Sequence, residues 1–253
     1  NSQRHSRLTA IDKSNVDHLE VKWVKQLETL ADVETTPLVV DGVMYLTQSP
    51  SNVIALDAAT GSQFWTYEHT LPEKLALCCG RQNRGVAILG ETLFLGTLDA
   101  KLMALDAKTG AVQWEVQSAD PATGYSKTAA PLVIGDKVIS GIAGGEYGIR
   151  GFLDAYDAHT GERVWRFYTI PGEGELHNDT WEGDSWKTGG APTWVTGAYD
   201  PDLNLVYWGT GNPGPDWNGE AREGDNLYSD SVIALDADTG ELKWHFQFTP
   251  HDV

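Results

Sequence analysis

The chain has 253 residues, with 18 Lys and Arg against 36 Asp and Glu, so its formal net charge is −18. That balance excludes a free basic face for nucleic acid and argues against an anionic membrane surface as partner. Hydrophobic residues make up 41%, an ordinary globular share that excludes disorder, no apolar run is long enough to span a membrane, and Asn1–His5 shows no apolar signal-peptide core.

In chain order, the first regular signal is Pro37–Tyr45, two strand-like runs around Asp41-Gly42, a strong hairpin turn. Ala55-Leu-Asp-Ala-Ala-Thr-Gly-Ser-Gln-Phe-Trp65 follows, then an adjacent pair, Cys78-Cys79. These are the only two cysteines. Read by themselves they are either two buried small hydrophobes or a vicinal disulfide, which requires an oxidising compartment. Val86–Phe94 repeats the hairpin pattern and leads into Ala104–Trp114; Pro131–Ile139 repeats it again before Ala155–Trp165. A Gly-, Pro- and acid-rich stretch, Ile170–Gly190, reads as a long ordered loop, and long loops on rigid scaffolds carry function or cover it. Trp194-Val195 and Leu205–Trp208 form a strand pair with a longer turn, Asp200–Asn204. A second insertion, Pro213–Asn226, precedes Ala234–Trp244.

Four of these segments share Ala, Asp, Ala, Thr, Gly and Trp at fixed positions: 55–65, 104–114, 155–165 and 234–244. A strand ends at the Asp, Thr-Gly makes a tight turn with Gly free to take positive φ, and a second strand delivers the Trp. With the hairpin before it, each unit is four antiparallel strands. That is a β-propeller blade. The expected architecture is all-β, a single partial propeller domain over 1–253 with blades around 36–65, 85–114, 129–165 and 191–244. Trp65, Trp114, Trp165 and Trp244 are expected to pack between blades rather than to serve a site, since so large a ring requires burial.

The Ala-x-Asp-x-x-Thr-Gly-x-x-x-Trp repeats resemble the tryptophan-docking motifs of quinoprotein alcohol dehydrogenases, eight-bladed propellers that bind pyrroloquinoline quinone (PQQ). Further motifs agree in order: Cys78-Cys79 with Asn83-Arg84-Gly85, Gly144–Gly151, Gly209–Pro215 and Thr249–Asp252. The resemblance covers essentially the whole chain. It implies that Cys78 and Cys79 form a vicinal disulfide lying flat against one face of the quinone and that Trp194 stacks on the other. It further implies that Arg84 reaches the quinone oxygens, that Glu34 and Thr128 hydrogen-bond the cofactor rim, and that Gly144 and Gly145 let backbone approach it. Glu146 and Asn212 match the side chains that hold the cation, calcium or a lanthanide, whose preference for oxygen donors suits a carboxylate and an amide. Ala143 and Pro192 depart from the pattern, standing where some members have a Ser and a Thr contact.

The resemblance implies oxidation of a small primary alcohol to the aldehyde, with electrons passed to a cytochrome c, in the periplasm. Its catalytic Asp would lie just past Val253, so no catalytic residue is assigned within the chain. The chain reads as about half of a longer enzyme, inactive on its own. Absence of Cys-x-x-Cys-His places no haem on it. The rival reading is a non-catalytic propeller of the outer-membrane assembly lipoprotein type, which has no need for Cys78-Cys79, Arg84, Glu146 and Asn212 together.

Overall fold

The computed structural model describes residues 8–253; the reading of Asn1–His5 as lacking an apolar core falls outside them. Sixteen strands form four separate four-stranded antiparallel sheets in strict sequence order. The first holds β1 (Leu38–Val40), β2 (Val43–Gln48), β3 (Asn52–Asp57) and β4 (Gln63–Tyr67). The second holds β5 (Ala87–Leu89), β6 (Thr92–Gly96), β7 (Lys101–Asp106) and β8 (Val112–Gln117). The third runs through β9 (Leu132–Ile134), β10 (Lys137–Gly141), β11 (Phe152–Asp157) and β12 (Arg163–Tyr168). The last comprises β13 (Ala198–Asp200), β14 (Leu205–Gly209), β15 (Ser231–Asp236) and β16 (Leu242–Gln247). These are four β-propeller blades. The fourth begins later than the sequence suggests: Trp194 and Val195 lie on the approach to β13 rather than in a strand.

Each fixed position of the repeat has a physical task. The Asp closes the turn: Asp57 Oδ1 accepts from the backbone N–H groups of Ala59 and Thr60, both at 2.8 Å, and Asp106, Asp157 and Asp236 do the same in their blades. The Gly follows at φ 74 in the first blade and at similar values in the others. The first Ala pairs directly across the sheet with the Trp of the next strand, as Ala55 does with Trp65, leaving room for the ring. The second Ala supplies a carbonyl to the neighbouring blade. The indoles of Trp65, Trp114 and Trp165 donate to the carbonyls of Ala107, Ala158 and Ala237, each at 3.2 Å. Each ring also covers the turn glycine of the next blade: a Cβ on Gly110, Gly161 or Gly240 would lie 2.7–2.8 Å from it. The Gly is therefore required twice, by its backbone and by the indole that lies on it.

Trp23 makes the same contact one step earlier. It donates to the Ala58 carbonyl at 3.1 Å and lies over Gly61, although no repeat precedes it. Sequence reading missed this docking ring, the fourth among the described residues. Trp244 differs from expectation in the other direction. It is 45% exposed, since no described turn lies against it, although Tyr207 packs on its inner side.

The core is a series of inter-blade layers. One gathers Tyr45, Val53, Leu93 and Leu105 between the first two blades, another Phe94, Leu102, Val138 and Tyr156 between the second and third. The largest joins Leu153, Trp165, Trp208 and Ile233 between the third and fourth. Buried polar pairs pin the layers. His69 Nε2 lies 2.9 Å from Asp99 Oδ1, joining the first two blades. Arg166 grips Asp154 with two nitrogens at 2.6 and 2.7 Å, and the Tyr156 hydroxyl donates to the same carboxylate at 2.5 Å.

Candidate functional site

Glu34, Arg84, Thr128 and Trp194 lie far apart in sequence, yet each stands three or four residues ahead of the innermost strand of its blade, β1, β5, β9 or β13. Equivalent positions of successive blades converge on the propeller axis, and these approach segments are joined in a chain. The Thr36 N–H donates to the Arg84 carbonyl at 3.1 Å, the Arg84 N–H to the Thr128 carbonyl at 3.0 Å, and the Thr128 hydroxyl to the Trp194 carbonyl at 3.2 Å.

Neighbours explain why Arg84 points where it does. Asn83 is buried; its Nδ2 donates to the Gly96 carbonyl at 2.7 Å and its Oδ1 accepts from the Gly85 N–H at 3.1 Å. That anchor fixes the turn, and Gly85, at φ 123, lets the chain pass close to Thr36. The guanidinium is thus carried on a rigid base. It meets Glu34 at 2.6 Å and stands over the Trp194 ring, 5.0 Å from its centre. Trp194 is 42% exposed, so part of its ring remains accessible beside Arg84.

Cys78 and Cys79 are joined by a disulfide, and no described cysteine is free. The backbone takes positive φ at Cys79 and again at Gly80, and Gln82 Nε2 donates to the Cys79 carbonyl. The two sulfur atoms and the Glu146 carboxylate lie within 4.8 Å of one another.

Glu146 sits on a short 3-10 turn, Gly145–Tyr147, in the β10–β11 connection, not on a strand. Gly144 holds φ 114, where a Cβ would run into the Gly124 carbonyl, and a Cβ on Gly145 would lie 2.9 Å from Pro192. Asn212 sits in the corresponding connection of the next blade, between β14 and β15. Residues 189–193 are threaded between these two connections. Gly190 N–H donates to Ile149 O at 2.9 Å, Ala191 N–H to Asn212 O at 2.9 Å, Gly211 N–H to Pro192 O at 2.8 Å and Gly214 N–H to Gly189 O at 2.7 Å. This strut ends the long loop predicted at 170–190; the loop's own residues do not line the cavity described below, to which the strut contributes Pro192. The loop is ordered by Trp181, buried with its indole on the Leu227 carbonyl, and by Arg150, which grips the Ile170 carbonyl and stacks on Tyr168 and Trp186.

One cavity of about 240 Å³ is lined by Glu34, Cys78, Cys79, Arg84, Thr128, Gly144, Glu146 and Trp194 together with Gln82, Ser126, Ala143 and Pro192. Of the ten residues singled out from sequence, eight line it. Gly145 backs its wall through Pro192. Asn212 does not line it; it lines a separate cavity of about 170 Å³ with Asp216, Arg222 and Asp252. Gln82 and Ser126 were not expected. Ser126 is set there by a two-bond bridge to Ala143, with bonds of 3.1 and 2.7 Å, a pairing no sequence pattern displays.

Chemically, the larger cavity offers flat apolar walls of disulfide and indole. A fixed cation stands at one rim, hydroxyl and amide groups line the edge, and a carboxylate waits at one end. That donor set fits a planar, oxygen-rich polyanion bound together with a hard cation.

The comparisons agree with this chemistry. The family model for the PQQ β-propeller domain of glucose, ethanol and alcohol dehydrogenases matches residues 1–253. Quinohemoprotein alcohol dehydrogenase ADH IIB of Pseudomonas putida is 49% identical over 99% of this chain and 38% of its own length. Quinoprotein alcohol dehydrogenase PedH, also of Pseudomonas putida, is 46% identical over 99% of this chain and 45% of its own length. A europium-containing methanol dehydrogenase superposes with a TM-score of 0.91 at 38% identity, over 98% of this chain and 47% of that one. The chain thus spans less than half the length of these relatives. Sequence repeat, blade architecture, vicinal disulfide and family match together place the chain in the PQQ-dependent dehydrogenase β-propeller family.

Proposed function

We propose that this propeller binds PQQ and a hard cation, calcium or a lanthanide, and that the protein oxidises a small primary alcohol to the aldehyde in the periplasm, with a cytochrome c as electron acceptor. The single observation that carries the reading is the convergence of Cys78-Cys79, Arg84, Trp194 and Glu146 on one cavity of about 240 Å³. When bound, PQQ supplies the two-electron acceptor that amino-acid side chains lack.

The chain's own residues do the rest. The Cys78–Cys79 disulfide and the Trp194 indole, both lining the cavity, would hold the flat ring and exclude water from it. Arg84, held by Glu34 at 2.6 Å, would present a fixed positive fork to the cofactor's oxygens. Thr128, Ser126 and Gln82 orient the rim. Glu146 and Asn212 supply the oxygens that hold the cation. Glu34 is committed to Arg84 and Glu146 to the cation, so the group that takes the hydroxyl proton is not assigned to this chain. A purely structural scaffold gives no role to a fixed guanidinium, a disulfide and a carboxylate around one slot.

The test is PQQ binding to the intact protein in the presence of Ca²⁺, followed by calorimetry. Trp194→Ala removes one stacking face, worth about 0.5–1.5 kcal/mol beyond area burial, and should weaken binding about tenfold or more once lost area is added. Unchanged affinity in Trp194→Ala and Arg84→Ala would overturn the assignment.

A further inference from the structure

We propose that Asp216 is a positioning residue that sets which end of the Asn212 carboxamide is offered to a cation. The inference rests on the reading of Asn212 as a ligand, and reaches a residue on the second insertion, 213–226, that this reading leaves without a role.

The geometry is specific. Asn212 Nδ2 donates to Asp216 Oδ1 at 2.6 Å and, more weakly, to the Pro213 carbonyl at 3.4 Å. Its Oδ1 has no hydrogen-bond partner among the described residues. An ionised carboxylate can only accept, so it selects the nitrogen end of the amide and rejects the oxygen end. Without Asp216 the amide could turn over, and its NH₂ group would then face the cation, which repels a donor. With Asp216 the oxygen keeps its lone pairs unspent. The backbone of Asn212 is fixed independently, because its carbonyl accepts from the Ala191 N–H at 2.9 Å.

Asp216 is itself supported. It lines the 170 Å³ cavity beside Arg222, a nearly fully buried guanidinium. Arg222 Nη1 donates to Asn226 Oδ1 at 3.0 Å and Nη2 to the Asp252 carbonyl at 2.5 Å, which hold the guanidinium in the cavity it shares with Asp216. A side chain that ligates a metal is typically oriented by a partner of this kind, and removing such a partner costs about 10–100-fold in metal affinity.

The experiment is calorimetric titration of Ca²⁺ into the intact, PQQ-loaded, chelator-stripped protein, with thermal melts to verify folding. Asn212→Ala tests the ligand reading. Affinity equal to the parent's would remove Asn212 from the site, and Asp216 with it. Given a loss there, Asp216→Ala is expected to weaken Ca²⁺ binding about 10–100-fold. Asp216→Asn keeps an acceptor oxygen but can also donate, so it should recover only part of that loss, its neutral hydrogen bond retaining roughly half the strength of a charge-assisted one. The inverted pair needs no truncation. Asn212→Asp with Asp216→Asn restores one donor facing one acceptor, leaves an oxygen for the cation and should bind Ca²⁺. Parental affinity in Asp216→Ala would overturn the proposal. So would an Asp216→Asn variant as weak as Asp216→Ala, which would make charge rather than orientation the cause, or failure of the inverted pair to recover.

Discussion

Lys127 offers the sharpest test of the packing described here. It is 1% exposed, wedged against Gly96, where a Cβ would lie 3.0 Å from its own side chain. Its ammonium donates to Ser140 Oγ at 2.9 Å and to the Gly141 carbonyl at 3.0 Å, but faces no carboxylate directly. Burial pushes its pKa down to about 8; Asp154 opposes that shift and Arg166 adds to it. The unfolded side chain titrates near 10.4, and each pKa unit corresponds to about 1.4 kcal/mol, so the buried charge costs the fold about 3 kcal/mol at neutral pH. Below pH 8 both folded and unfolded states carry the proton and the cost is present in full. Between about pH 8 and 10.5 the folded state has released it while the unfolded state still binds it, so stability rises with pH across that window. Lys127→Met removes the titration. At pH 7 the variant should be about 1 kcal/mol more stable: relief of about 3 kcal/mol outweighs two lost hydrogen bonds of about 1 kcal/mol each. Urea unfolding of the intact protein and of Lys127→Met at pH 7.5 and pH 10.5 measures the difference directly, because other groups titrate alike in both. The parent should gain about 3 kcal/mol relative to the variant between the two pH values. Parallel pH profiles would refute the reasoning.

Trp165→Ala should destabilise by about 3–5 kcal/mol, because it empties the largest inter-blade layer and strands the Ala237 carbonyl, and thermal unfolding reads this. Gly240→Ala should cost more than Gly135→Ala, since a Cβ at 240 meets the Trp165 ring at 2.7 Å whereas at 135 it meets nothing; both positions share the strain of positive φ, so the difference isolates the docking contact. Thiol titration of the denatured, unreduced protein should find no free thiol, as Cys78 and Cys79 are bonded to each other; two thiols per chain would contradict it.

The blade was legible in sequence because its determinants are local. The Asp-to-Thr-Gly turn closes within a few residues, and the Ala opposite each Trp is its neighbour across a hairpin. The site was legible only through resemblance. Glu34, Arg84, Thr128 and Trp194 share a place ahead of an inner strand, but no spacing announces it, since the connections between blades differ in length. What escaped was non-local or lacked the motif. Trp23 docks without a repeat before it. His69 and Asp99 meet across two blades. Ser126 enters the cavity wall through a bridge to Ala143. Asp216 touches Asn212 from the second insertion, in which no motif singles it out. β13 starts at Ala198, four residues after Trp194, as β1 and β9 start four residues after Glu34 and Thr128, so its late start is the approach segment shared by the blades.

The docking indoles also bear on how such a ring can acquire new walls. Trp65 and Ala107 are 42 residues apart, Trp114 and Ala158 44, and Trp165 and Ala237 72, yet all three hydrogen bonds measure 3.2 Å. The joint between blades is therefore indifferent to the length of chain that connects them. Orientation is set by a ring resting on a glycine, and the intervening segment is free to lengthen, since loop-closure entropy grows only with the logarithm of length. The third-to-fourth linkage has used that freedom twice, once for the strut beside Glu146 and once for the loop that carries Asp216. Fastening and elaboration fall to different residues, so the pocket can be rebuilt by insertion while the blades keep their pitch.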